Sequence, residues 1–245
     1  MTNKYIYFIA NWKMFGGLNS LNSINKVVKF LNNFKKKKFT KIIYCLPNTL
    51  INQMSINVSK SQIEVGAQNC HENYGYGAYT GSINSLMLKN AGAKHVIIGH
   101  SEIRNIGETN KKINLKIKSA LKTGLKVIFC ICETLQEKRK KITKAVLNKQ
   151  IKLGLAKIHD KKNIIIAYEP VWSIGSGLIP NQKELFTTID FIKKKLKNYK
   201  VIYGGSVNPK NISQLKSINN LDGFLVGGAS QDSKKFIDII KKTYN

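Results

Sequence analysis

A chain of 245 residues with 42% hydrophobic content is long enough for a large buried core and too apolar for a disordered one. No run approaches the ~18 consecutive apolar residues of a membrane span, and the first ten residues lack a basic stretch and a cleavage site, so a soluble, cytoplasmic chain is expected. Forty-one Lys and Arg against 13 acids give a net charge of +28, but the basic runs at 35–38, 138–141 and 193–195 are scattered, which suits a solvated helical shell better than a nucleic-acid surface.

Eight short apolar runs recur along the chain, at 5–9, 41–45, 63–67, 95–99, 127–131, 164–168, 201–205 and 223–227. They are continuous rather than alternating, the pattern of parallel strands covered on both faces. Helical stripes fall between them. Ile24, Val27, Val28 and Leu31 form the first; Ile113, Ile117, Ala120 and Leu121 form another. Leu185, Ile189, Ile192 and Leu196 repeat the spacing, and Phe236, Ile239 and Ile240 close the chain. Strand starts lie roughly 22 to 38 residues apart, the span of a βαβ unit. With no linker or composition break, one domain over 1–245 is expected, a single-domain (β/α)8 barrel of parallel strands; an open doubly wound sheet is the competitor.

Cys130 and Cys132 share one face of the fifth strand, roughly 6.5–7 Å apart, near the upper limit for a disulfide. With Cys45 and Cys70 they make no redox or zinc pattern, and buried reduced thiols are expected.

In such a barrel the chemistry collects at the carboxyl ends of the strands. Asn11 and Lys13 follow the first strand, His100 and Glu102 the fourth, and Glu169 with a glycine-rich loop the sixth. Ser206 follows the seventh, and Gly227 and Gly228 the eighth. Each alone is weak: a lone Glu or His at a strand end is often scaffolding, and the 175–177 loop lacks dinucleotide-binding spacing. Together a carboxylate, an imidazole, an ammonium and several backbone-rich loops suit proton transfer beside a carbonyl on a small phosphate ester. Loop N–H groups would cradle the phosphate, the carboxylate would take a carbon-bound proton, and the imidazole and ammonium would stabilise the enediolate.

The motifs NWKM (11–14), GAQN (66–69), TG (80–81), GHSE (99–102), AYEPVWSIGSG (167–177), YGGSVN (203–208) and GFLVGGAS (223–230) resemble the triosephosphate isomerase family, in order and over the whole chain. The resemblance implies a TIM barrel that interconverts dihydroxyacetone phosphate and glyceraldehyde 3-phosphate in glycolysis and gluconeogenesis, with no cofactor and no metal. By position it makes Glu169 the base, His100 the neutral electrophile, and Lys13 with Asn11 the substrate-binding pair, roles that are the family's own. Gly175, Ser206, Gly227 and Gly228 match its phosphate-binding positions. Glu102 resembles the partner of the lysine, Ile174 and Leu225 an apolar clamp on the base, and 170–180 a lid hinged at Pro170, Val171 and Trp172. Glu133 and Tyr203 resemble the groups that hold that lid open and closed. The family also implies a homodimer in which loop 70–82 reaches into the partner and sets Thr80 near the partner's Asn11.

The chain departs from the family pattern at several positions. Ile103 stands where an arginine is usual, the stretch to Glu108 is one residue short, and Ser82 replaces an acid. Leu178 replaces a lysine at the second hinge, and Cys132 replaces a glycine. His71, His95 and His159 are expected to be structural or surface residues. Another phosphosugar barrel enzyme, or a basic nucleic-acid-binding barrel, are the alternatives; the sequence offers neither the metal ligands of an epimerase nor the strand lysine of a Schiff-base aldolase.

Overall fold

Eight parallel strands close on themselves in chain order in the computed structural model, which describes residues 5–176 and 178–245. They are β1 (Ile6–Asn11), β2 (Thr40–Leu46), β3 (Ile63–Ala67), β4 (His95–Ile98), β5 (Lys126–Glu133), β6 (Ile164–Pro170), β7 (Lys200–Tyr203) and β8 (Gly223–Val226). Closure comes from β8 pairing with β1, Phe8 opposite Phe224 and Ala10 opposite Val226. All eight expected strands are present, with ends displaced by at most two residues.

Helices cover the outside. They are α1 (Ile24–Asn33), α2 (Asn48–Asn57), α3 (Ser85–Asn90), α4 (Ser101–Asn105), α5 (Asn110–Lys122), α6 (Leu135–Arg139), α7 (Thr143–Gly154), α8 (Gln182–Lys195), α9 (Ile212–Lys216) and α10 (Ser233–Tyr244). Their starts are set by side chains that accept otherwise unpaired N–H groups: Asn84, Thr109, Asn181 and Asp232 at α3, α5, α8 and α10, and a Thr134–Glu137 capping box at α6. The expected stripes bury Ile24, Val27 and Leu31, Ile113 and Ile117, Leu185, Ile189 and Ile192, and Phe236, Ile239 and Ile240. Val28 and Leu121 are only half-buried, at the margins of their stripes.

The continuous apolar strands are explained by two separate cores. Ile9, Ile43, Cys45, Ile97, Ile128, Cys130, Ile165, Ala167, Ile202 and Leu225 fill the barrel interior. Their neighbours of opposite parity, among them Phe8, Tyr44, Val96, Phe129, Ile166 and Val201, pack outward against the helices. Because side chains alternate every residue, the inward row continues upward from Ile9 to Asn11, from Ala167 to Glu169, from Ile202 to Gly204 and from Leu225 to Gly227. The core parity thus aims these positions at one mouth. At the opposite end, buried His95 meets Glu64 at 2.7 Å, the structural role expected of it. The four cysteines are free and buried.

Candidate active site

Glu169 extends the inward row of β6 and is 1% exposed. Its Oε1 lies 3.2 Å from His100 Nε2, and its Oε2 accepts a long bond from the Ser101 N–H at 3.4 Å. Gly204 makes room for it: a Cβ there would stand 2.9 Å from Glu169 Cγ and 3.4 Å from Leu225 Cβ. Any larger residue at 204 would displace the carboxylate.

His100 caps α4, and Gly99 just before it turns the chain with φ +75°, where a Cβ would meet Arg104 and the Cys130 carbonyl. Its Nδ1 accepts from the Glu102 N–H at 3.2 Å. A neutral ring accepting at Nδ1 must carry its proton on Nε2, the nitrogen that faces Glu169. Burial pushes the imidazole pKa down, but the Glu169 carboxylate beside it, helped by Glu102, outweighs burial and the opposing Lys13. The net direction is upward.

Lys13 bridges the mouth, with Nζ 2.5 Å from Glu102 Oε1. Its backbone is left-handed at φ +56°, uncommon for a side-chain-bearing residue. Three bonds hold that turn in place. The Lys13 N–H donates to Asn11 Oδ1 at 3.0 Å, and Gln68 Nε2 donates to the Lys13 carbonyl at 2.9 Å and the Cys45 carbonyl at 3.2 Å. At the end of the neighbouring strand β8, Gly227 faces the lysine stem, where a Cβ would lie 3.4 Å from Lys13 Cε.

After β6 the chain makes a single 3-10 turn, Val171–Ser173. Trp172 Nε1 donates to Glu133 Oε1 at 3.1 Å, and the Tyr168 hydroxyl donates to the same oxygen at 2.9 Å. Burial lifts the Glu133 carboxyl to about 7, against those two bonds, which lower it. Tyr203 pairs with Ser173, 2.9 Å between hydroxyls. Gly175 is exposed on this loop at φ +69°, and Ile174 is partly exposed above it. Gly177, part of the expected lid, lies outside the described residues.

Asn11, Lys13, His100 and Glu169 are therefore brought together at one mouth, with Gly227 against the lysine, while Ser206 and Gly228 lie in the segments after β7 and β8. The bracing residues were not singled out from sequence. Gln68 sits inside the GAQN motif (66–69), but its role depends on two carbonyls far away in the chain. Arg104 likewise ties the Gly99 and Cys130 carbonyls to Asn110, at 2.7, 3.0 and 2.8 Å. Only the fold reveals such partners. Among the described residues no helix is long and apolar enough to cross a membrane.

An eight-stranded α/β barrel carrying a carboxylate, an imidazole and an ammonium on its carboxyl-end rim defines a barrel enzyme of the acid–base class. Comparison with known proteins makes this specific. The family model described as triosephosphate isomerase matches residues 6–243. Triosephosphate isomerase of Ruthia magnifica subsp. Calyptogena magnifica is 36% identical, over 97% of this chain and 99% of that protein. That of Thermodesulfovibrio yellowstonii is 39% identical, over 98% of this chain and all of that protein. The crystal structure of triosephosphate isomerase from Bartonella henselae superposes with a TM-score of 0.89 at 33% identity, covering 98% and 99% of the two chains. The chain belongs to the triosephosphate isomerase family and is an isomerase.

Proposed function

We propose that the chain, acting as one barrel unit over 1–245, interconverts dihydroxyacetone phosphate and D-glyceraldehyde 3-phosphate through an enediolate. Glu169 takes a proton from one carbon and returns it to the next. His100, neutral and donating from Nε2, and Lys13 stabilise the oxygens that gain charge as the proton leaves, with Asn11 setting the Lys13 turn. Backbone N–H groups at Gly175, Ser206, Gly227 and Gly228 hold the phosphate. Segment 170–180 closes over the bound substrate, excluding water from the enediolate. The working form in this reading is a cytoplasmic homodimer joined through loop 70–82, and no cofactor or metal takes part.

One observation carries the reading: Glu169 and His100 meet at 3.2 Å inside the mouth that Lys13 bridges. A carboxylate of that kind needs a substrate carbon between it and the imidazole and ammonium, and the barrel mouth offers the place. The experiment is a coupled assay with dihydroxyacetone phosphate in the presence of a chelator, run in heavy water. Turnover that the chelator leaves unchanged, with deuterium entering at the carbon that exchanges its proton, is expected. Undiminished turnover in a folded Glu169→Gln chain would overturn the proton-transfer mechanism, and loss of activity to the chelator would overturn the metal-free one.

A further inference from the structure

Ser173 is fully buried at the end of the Val171–Ser173 turn, and its hydroxyl meets three groups. It donates to the Leu178 carbonyl at 2.5 Å, lies 2.9 Å from the Tyr203 hydroxyl, and accepts from the Ser206 N–H at 3.3 Å. A serine hydroxyl has one proton and two acceptor positions. With its proton committed to Leu178, it receives from both Tyr203 and Ser206, so its capacity is full and the Tyr203 bond runs from phenol to serine.

The loop after β7 is shaped to permit this. A Cβ at Gly205 would lie 2.1 Å from the Tyr203 hydroxyl oxygen and 2.7 Å from Ser173 Oγ. Only glycine at 205 lets the turn after β6 settle against the turn after β7. One side chain therefore ties the first hinge to the second, through Leu178, and ties both to the loop that carries Ser206.

We infer that Ser173 is a positioning residue that latches the turn after β6 in the arrangement seen here by occupying the Ser206 amide, so that Ser173 and the substrate phosphate compete for one N–H donor. The inference rests on the proposed role of Ser206 in holding phosphate. An N–H engaged with a neutral hydroxyl at 3.3 Å is weakly held, whereas a phosphate oxygen accepts a charge-assisted bond. Phosphate therefore wins the amide when it arrives. Surrender of that bond loosens Ser173, and with it the contacts to Tyr203 and Leu178, which couples phosphate binding to movement of the segment.

The test is Ser173→Ala, with the affinity for inorganic phosphate and the KM for dihydroxyacetone phosphate measured beside wild type. Loss of one competing hydrogen bond should tighten phosphate binding about threefold to tenfold and lower KM in the same direction. A merely structural loss would weaken binding or lower kcat instead. A second measurement needs no variant: in substrate-free wild type the Ser206 amide should be partly protected from hydrogen exchange, and phosphate should raise that protection. Phosphate affinity unchanged or weakened in a folded Ser173→Ala chain, or an unprotected Ser206 amide in wild type, overturns the latch. Failure of wild type itself to bind phosphate removes the proposed phosphate site as well, which separates the two failures.

Discussion

The Glu169 carboxylate and the His100 imidazole are each other's partners, Oε1 to Nε2 at 3.2 Å, with both side chains buried. The proposed base and electrophile thus occupy in each other the positions that substrate would take. A substrate entering between them replaces a carboxylate on Nε2 with a carbonyl oxygen, removing the charge that draws the imidazole toward its protonated form.

Retraction of the base tests the proposed chemistry most directly. Glu169→Asp withdraws the carboxylate by one methylene while leaving the backbone of β6 in place. Misplacement of about 1 Å can cost ~10²-fold, so kcat should fall on that order with KM little changed. Steady-state kinetics on the purified variant decide it; a variant with wild-type kcat would mean that Glu169 is not the base.

The His100–Glu169 pair makes a second prediction, about titration. The neighbouring carboxylate raises the histidine pKa against burial. Glu169→Gln removes the charge and keeps the shape, so the His100 pKa should drop. NMR titration of the ring protons, with wild type alongside, reads the direction. An unchanged or higher pKa in the variant would show that the carboxylate is not what holds the imidazole up.

Much of this was legible in the sequence because the barrel repeats one simple unit. Eight continuous apolar runs at βαβ spacing require strands buried on both faces, and their parity then carries Asn11, Glu169 and Gly227 inward without further information. The mouth residues were visible as departures from apolar character at strand ends. The braces were not, because Gln68, Arg104 and Ser173 act through carbonyls and hydroxyls that are distant in the chain or set by loop shape. Gly204 is similar: its importance is the 2.9 Å approach of an absent Cβ to Glu169, which no composition or periodicity encodes.

Glu133 should leave a signature in stability against pH. Its folded pKa of about 7 lies above the ordinary 4.5, so the native chain holds this proton more tightly than the unfolded one. The resulting stabilisation is complete below about pH 4.5 and is lost as pH rises to about 7. Glu133→Gln, which keeps an acceptor for Trp172 and Tyr168, should remove that slope and be more stable than wild type at pH 8, by up to about 3 kcal/mol. Urea unfolding at pH 5 and pH 8 compares the two chains; parallel profiles would contradict a raised Glu133.

The proposed dimer is the remaining prediction, and it depends on contacts without charge. Loop 70–82 carries Tyr74, Tyr76 and Tyr79 at 46%, 75% and 49% exposure, and Met14, next to Lys13, is fully exposed. Aromatic and Met side chains left in water on that scale suit burial against a second copy. The acid and arginine that the family pairs near this loop are absent together, replaced by Ser82 and Ile103, so neither is left as a buried orphan. Repulsion opposes the association: each subunit carries +28, and at low ionic strength screening extends to tens of ångströms. Sedimentation from nanomolar to micromolar concentration, with activity followed in parallel, should show a dimer that weakens at low salt and loses activity as it dissociates. A fully active monomer would sink the interface, and a dimer equally tight at low and moderate salt would remove the repulsion alone. Tyr76→Asp, which places a charge on the most exposed of the three rings, should weaken the dimer at both salts while leaving the isolated fold intact.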